Sequence, residues 1–205
     1  MELGSQTALA RRIDPLRARV SLQGMKSVFL AVLFSVVSLS ATQAQVPIPI
    51  FLTIDGIEGD STDSEHANSI PILSFSSDVF QQGLNLAGGG GSAAKTQFNP
   101  IVVIKRFDKT SPQLFLACAT GKHIKSATIA VQKAGNQPYD FFKIVLSDVL
   151  ISSVSASADS EQLVDTEKVT LSFSKISWQF RPQDPNGSPL PPVVGSFDLK
   201  ANKPF

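Results

Sequence analysis

From Val46 onward the apolar residues fall mostly in short runs rich in Val, Ile and Phe, and clusters of Gly, Asp, Ser and Pro separate the runs. That spacing belongs to strands joined by turns. It predicts strands over Ile48–Ile54, Ile70–Phe80, Phe98–Phe107, Ile124–Lys133, Tyr139–Ser155, Lys168–Arg181 and Val193–Lys200, with a break in the fifth near Asp148. Asp55-Gly56 reads as a turn. Residues 57–69 (IEGDSTDSEHANS) are polar and carry no apolar period, so an extended loop is expected there. Gly88–Gly91 mark a second, flexible connection within residues 81–95.

One segment has a different period. Thr110-Ser111-Pro112 offers capping hydroxyls ahead of a proline in a first helical turn. Leu114, Phe115 and Cys118 then fall together as the apolar face of a helix over 111–120. Gly121 supplies the stop, and Lys122 and His123 stand where cations favour a helix C-terminus. Many short strands with one helix imply a closed or nearly closed β-barrel or sandwich with the helix packed outside. Within Ile70–Phe80 the alternation groups Leu73, Phe75 and Val79 as the core face. Ser74, Ser76 and Asp78 form the opposite face, which begins with Ile70 and Ile72.

The first 44 residues change the picture. Residues 27–41 form an apolar run, preceded by Met25-Lys26 and followed by Ser40-Ala41-Thr42-Gln43-Ala44. A run this short falls below the roughly 20 residues a bilayer span takes. The basic, apolar, small-residue order is that of a secretory signal peptide cleaved after Ala44. Met25-Lys26 makes a better start than Met1, so the expected organisation is an upstream artefact of the start codon or a leader extension over 1–24, a signal peptide over 25–44 and one domain over 45–205.

Apolar residues make up 42% and charged residues 17% of the 205, a globular composition. The chain carries 18 basic and 17 acidic residues. Residues 1–44 hold five of the basic and two of the acidic ones, which leaves 13 and 15 for the domain, a net of −2. Such a balance gives no grip on a nucleic-acid backbone. The single cysteine, Cys118, excludes an intramolecular disulfide and reads as a small core residue.

Catalytic chemistry finds no footing. His66 and His123 are the only histidines, and no G-x-S-x-G turn accompanies them. Asp63, Glu65 and His66 lie close in sequence but lack the ligand spacing of a known metal site, and a solvated polar loop explains them. Gly89–Thr96 falls one glycine short of a phosphate-binding loop and leads into a strand rather than a helix. Trp178 and Tyr139 read as core or interface aromatics. No enzyme, cofactor or metal is expected.

Several ordered motifs then carry a resemblance. Asp55-Gly56-Ile57-x-Gly59-Asp60-Ser61 with the later His66, the glycine run Gly88–Lys95, and the stretch RFDKTSPQLFLACATGKH from Arg106 to His123 are similar to those of the haemolysin-coregulated protein family of type VI secretion. Ala127–Gly135, Leu150–Val154, Val169–Phe173, Pro182-Gln183 and Gly195-x-x-Asp198-x-Lys200-Ala201-Asn202-Lys203 continue it, so the resemblance covers about residues 46–203. It implies a two-sheet β-barrel with one outer helix. It also implies six-membered rings that stack into a secreted tube, self-association, and contacts with effectors and with sheath or spike components. On that reading residues 57–69 reach a neighbouring subunit, through Asp60, Ser61, Asp63, Glu65 and His66, and Ser74, Ser76 and Asp78 line the lumen. The leader departs from the family pattern and supports a second reading, an exported binding or adhesion module on the same scaffold. Either way the product is expected outside the cell, by way of the periplasm if the leader is used.

Overall fold

The computed structural model describes residues 47–81, 96–133, 135, 138–160 and 164–205. The expected leader extension, the signal peptide and the glycine run Gly88–Lys95 lie outside the described residues. The rest is mainly β, with one helix among the described residues.

In chain order the elements are β1 (Ile50–Ile54), β2 (Ile70–Pro71), β3 (Ser74–Ser76), β4 (Val79–Phe80), β5 (Gln97–Phe98), β6 (Ile101–Arg106), α1 (Ser111–Thr120), β7 (His123–Lys133), β8 (Tyr139–Asp159), β9 (Val164–Ser172), β10 (Lys175–Phe180), β11 (Val193–Asp198) and β12 (Lys203–Pro204). One sheet runs β12-β11-β10-β8-β7-β1-β2, and a branch runs β3-β6-β9-β8. All of these pairings are antiparallel.

β8 belongs to both the main run and the branch. Its first half pairs with β7 and β10, and its second half, from Leu150 to Asp159, pairs with β9. The expected break is a bend at Asp148, which takes a left-handed φ of 54°. Asp148 accepts a 2.7 Å hydrogen bond from Ser174 Oγ, lies 3.3 Å from His123 Nδ1 and pairs with Lys200. Those three partners, Lys200 foremost, hold its carboxyl well below the usual carboxylate range. Opposite the bend, Phe173-Ser174 divides the strand expected over Lys168–Arg181 into β9 and β10. His123 thus opens β7 and pairs with Asp148 instead of capping the helix.

The strand expected over Ile70–Phe80 is three short pieces, because the segment passes from the main run of the sheet to its branch. Ile72 N–H donates to Ile50 O of β1 (2.9 Å), and the next amide, Leu73 N–H, donates to Ile104 O of β6 (2.8 Å). Hydrogen bonding therefore runs β1, segment 70–76, β6, β9, β8, β7 and back to β1, a closed circuit. The crossing reverses the alternation. Ile70 and Ile72 are buried, Leu73 is 50% exposed, Phe75 is half-buried and Val79 is exposed. The core face expected of Leu73, Phe75 and Val79 holds for Phe75 alone.

Alternate residues of β1, β6, β7, β8 and β9 meet inside this circuit. Leu52, Ile70, Ile101, Val103, Leu114, Ile129, Ile144, Leu146, Val169 and Leu171 have no exposed surface. Each large apolar side chain so buried contributes about 1.5–3 kcal/mol relative to exposure. Lys105 continues the inward face of Ile101 and Val103 and is itself fully buried. Its Nζ donates to Glu167 Oε1 (2.6 Å), Asp108 Oδ1 (2.8 Å) and Arg106 O (2.8 Å).

α1 has the expected bounds and packs on β8. Gly121, at φ 63°, ends it: Gly121 N–H donates to Cys118 O and Lys122 N–H to Ala117 O. At the other end Thr110 makes no side-chain cap. It instead donates both N–H and Oγ1–H to Asp108 Oδ1. Leu114 and Ala117 are buried and Cys118 packs at the edge of the core, whereas Phe115 is 65% exposed. The buried stripe follows spacings of three and four from Leu114, which leaves Phe115 about a quarter turn away.

Candidate assembly surfaces

Residues 57–69 join β1 to β2 and fold back on their own barrel. Gly56 turns the chain at φ 78°. Ile57 then enters the core. Gly59 lies flat against Ser69, where a Cβ would come within 2.2 Å of the carbonyl oxygen, so no larger residue fits. That close approach closes the neck of the loop with three backbone bonds. Gly59 N–H donates to Asn68 O (2.7 Å), Ser61 N–H to Ser69 O (3.0 Å) and Asn68 N–H to Ser61 O (2.9 Å).

Inside the neck Asp63 Oδ1 accepts from Glu65 N–H (2.9 Å) and His66 N–H (3.0 Å), and Ser61 Oγ accepts from Asp63 N–H (3.2 Å). Burial works to raise the Asp63 carboxyl, but the two backbone N–H groups, with Gln132 and the His66 ring, outweigh it and hold it below the usual carboxylate range. His66 clasps the loop to the barrel. Its ring stacks on Phe51 with centroids 4.4 Å apart, and Nε2 lies 2.7 Å from Asp140 Oδ1 at the start of β8. Asp140 Oδ2 also meets Lys143 Nζ at 2.8 Å. The facing side chains of His66 and Asp140 are only 10% and 11% exposed, so this contact is largely withdrawn from solvent.

Of the five loop residues singled out in the sequence, Ser61, Asp63 and His66 come together and hold the loop in shape. Asp60 and Glu65 face solvent. Asp60 lies toward α1, 3.3 Å from Lys109 Nζ. Asp140 is the residue that sequence reasoning missed: it sits 74 positions from His66, in a strand whose pattern gives it no distinction.

Ser74, Ser76 and Asp78 are all exposed. Ser74 and Ser76 belong to a broader polar wall, and Asp78 follows just past the end of β3. Across the sheet Ser74, Ile104, Lys168 and Ser155 form one row and Ser76, Val102, Thr170 and Ser153 the next. Only Ile104 and Val102 are apolar in these rows, and both are partly covered. Among the described residues no three His, Cys, Asp or Glu side chains converge on a metal-sized site.

The family model described as "Type VI secretion system effector, Hcp" matches residues 51–180, which is β1 through β10 with the loop, the helix and the whole closed circuit. The chain belongs to the Hcp family. Protein hcp1 of Pseudomonas aeruginosa is 34% identical over 142 residues, covering 69% of this chain and 88% of that protein. Hcp1 from Salmonella typhimurium superposes with a TM-score of 0.64 at 32% identity, covering 78% of this chain and all of that one. A type VI secretion system effector from Yersinia pestis superposes with a TM-score of 0.59 at 29% identity, covering 73% and 98%. Both structures share the β architecture.

Proposed function

We propose that this Hcp-family chain is a non-catalytic subunit of hexameric rings that stack into a type VI secretion tube and carry effectors in the lumen. Family membership across residues 51–180 carries the reading. The geometry suits it. A loop held rigidly by its own neck and by the His66 clasp presents Asp60 and Glu65 outward without the ordering cost of a free loop, and pre-organisation of that kind favours association. Each subunit of a closed ring needs one patch to offer and another to receive. The polar wall through Ser74, Ser76 and Asp78 is the lumen face on this reading.

Electron microscopy of the purified protein tests the first step, with six-membered rings expected. Shortening residues 60–68 should leave a folded monomer and abolish the rings, as read by light scattering. Rings that survive the deletion would remove the loop from the contact. The apolar run of residues 27–41 favours a second reading, an exported binding module on the same scaffold. Expression from Met25 with N-terminal sequencing separates the two. A product beginning at Gln45 supports export through the leader, and a product that keeps Met25 removes it.

A further inference from the structure

Gly195 sits in the middle of β11, opposite Trp178, in a ladder whose register runs without a bulge from Val193 to Asp198. Its backbone is not in the left-handed region, and a Cβ added there meets nothing within 4 Å among the described residues. Among the described residues, therefore, nothing in its own subunit calls for a glycine. A glycine inside a regular strand weakens it, and a common cause is the close approach of another group. Above Gly195 opens a cavity of about 340 Å³, walled by Val79, Phe98, Ile176, Trp178 and Phe197. Val79 is 53% and Trp178 40% exposed, so the socket is apolar and open.

α1 carries a matching excess of apolar surface. Leu114 and Ala117 already bury its inner stripe. Pro112, Phe115, Leu116 and Ala119 form a second stripe at spacings of three and four on the outside, and all four are exposed, Phe115 at 65% and Leu116 at 60%. A helix apolar on both sides is one that is covered on both sides.

We propose that the two surfaces cover each other between copies: Phe115 and Leu116 of one subunit enter the Gly195 socket of the next. The inference rests on the ring reading and names its contact. Helix against helix would be self-complementary and would stop at a dimer. A knob and a socket at different places on the chain repeat head to tail and generate a ring when the rotation between copies closes. Charge agrees with this arrangement. Asp78 stands exposed beside the socket next to Val79, and Lys122 stands exposed just past the end of α1, so opposite charges meet at the rim.

The test uses the full chain with Gly195→Arg, which fills the socket, and Phe115→Arg, which spoils the knob. Both positions are exposed, so each variant should melt like the wild type; if Gly195→Arg does not, Val79→Arg on the rim replaces it. The wild type should form rings and each variant alone should remain monomeric. Mixed in equal amounts, the variants should give a species of twice the monomer mass, because one intact knob and one intact socket remain. They should give no rings. Rings formed by either variant alone would overturn the assignment and leave the ring reading standing. A mixture that stays monomeric would overturn the pairing of these two faces. A wild type without rings would remove the ring reading itself and this contact with it.

Discussion

Lys105 places an ammonium inside the barrel wall with no exposed surface, directly across the ladder from Glu167. Removing one member of a buried ion pair strands the other, at a cost of about 3–5 kcal/mol. Lys105→Met should lower stability by that amount in urea unfolding, and adding Glu167→Leu should recover most of it. Asp108 belongs to the same cluster. Burial works to raise its carboxyl, but Lys105 and the Thr110 hydroxyl and N–H outweigh it and hold it below the ordinary 3.8. A carboxyl depressed in the folded state stabilises fully above its unfolded value, and that stabilisation is lost as the pH falls below it. Stability should therefore decline as the pH drops below 3.8, and Asp108→Asn should flatten that decline in acid titrations followed by circular dichroism. The sequence shows Lys105 in phase with Ile101 and Val103, so its inward direction is legible. Its partner is not, because Glu167 lies 62 residues away and only the β6–β9 register joins them.

At the scale of the element, α1 separates two kinds of apolar residue that look alike in sequence. Leu114→Ala should cost about 2–5 kcal/mol in the isolated subunit, as for other buried leucines. Phe115→Ala should change the monomer melt by no more than about 0.5 kcal/mol, as for exposed sites. A large loss for Phe115→Ala in a monomer would contradict its exposure. Helix bounds were readable because Pro112 and Gly121 punctuate them. Phe115 lies off the buried face at 65% exposure, since a helix apolar on two sides leaves the periodicity ambiguous. Strand 70–80 misled for another reason. Its alternation changes phase at the adjacent apolar pair Ile72-Leu73, and the change of hydrogen-bond partner from β1 to β6 at that point puts Ile70 and Ile72 inside before it and Phe75 inside after it.

For the whole molecule, ordered motifs made the fold and family legible before any contact was known. The His66–Asp140 clasp and the Gly195 socket were not, because each is assembled from strands distant in sequence. The polar rows across β3, β6, β9 and β8 yield a prediction at this scale. Ser76→Arg should leave ring assembly intact and reduce recovery of a lumen-bound effector in a pull-down. Equal recovery from intact rings would place Ser76 outside the lumen.

The crossing at Ile72 and Leu73 has a consequence in time. Five of the six members of the barrel circuit are joined to their neighbours by ladders of five residue pairs or more, apart from the segment 70–76 that seals it. That segment holds β1 through two residue pairs and β6 through three, with the two crossing amides between. If the barrel opens below the global unfolding free energy, it opens there first, as the weakest seam of a cooperative unit. In hydrogen–deuterium exchange the Ile72 and Leu73 amides should therefore lose protection sooner than those of Ile144 and Leu146 in β8. Ring assembly should slow them, because a subunit held by neighbours on both sides has less freedom to part its seam, and their exchange times would then record how long each barrel stays shut.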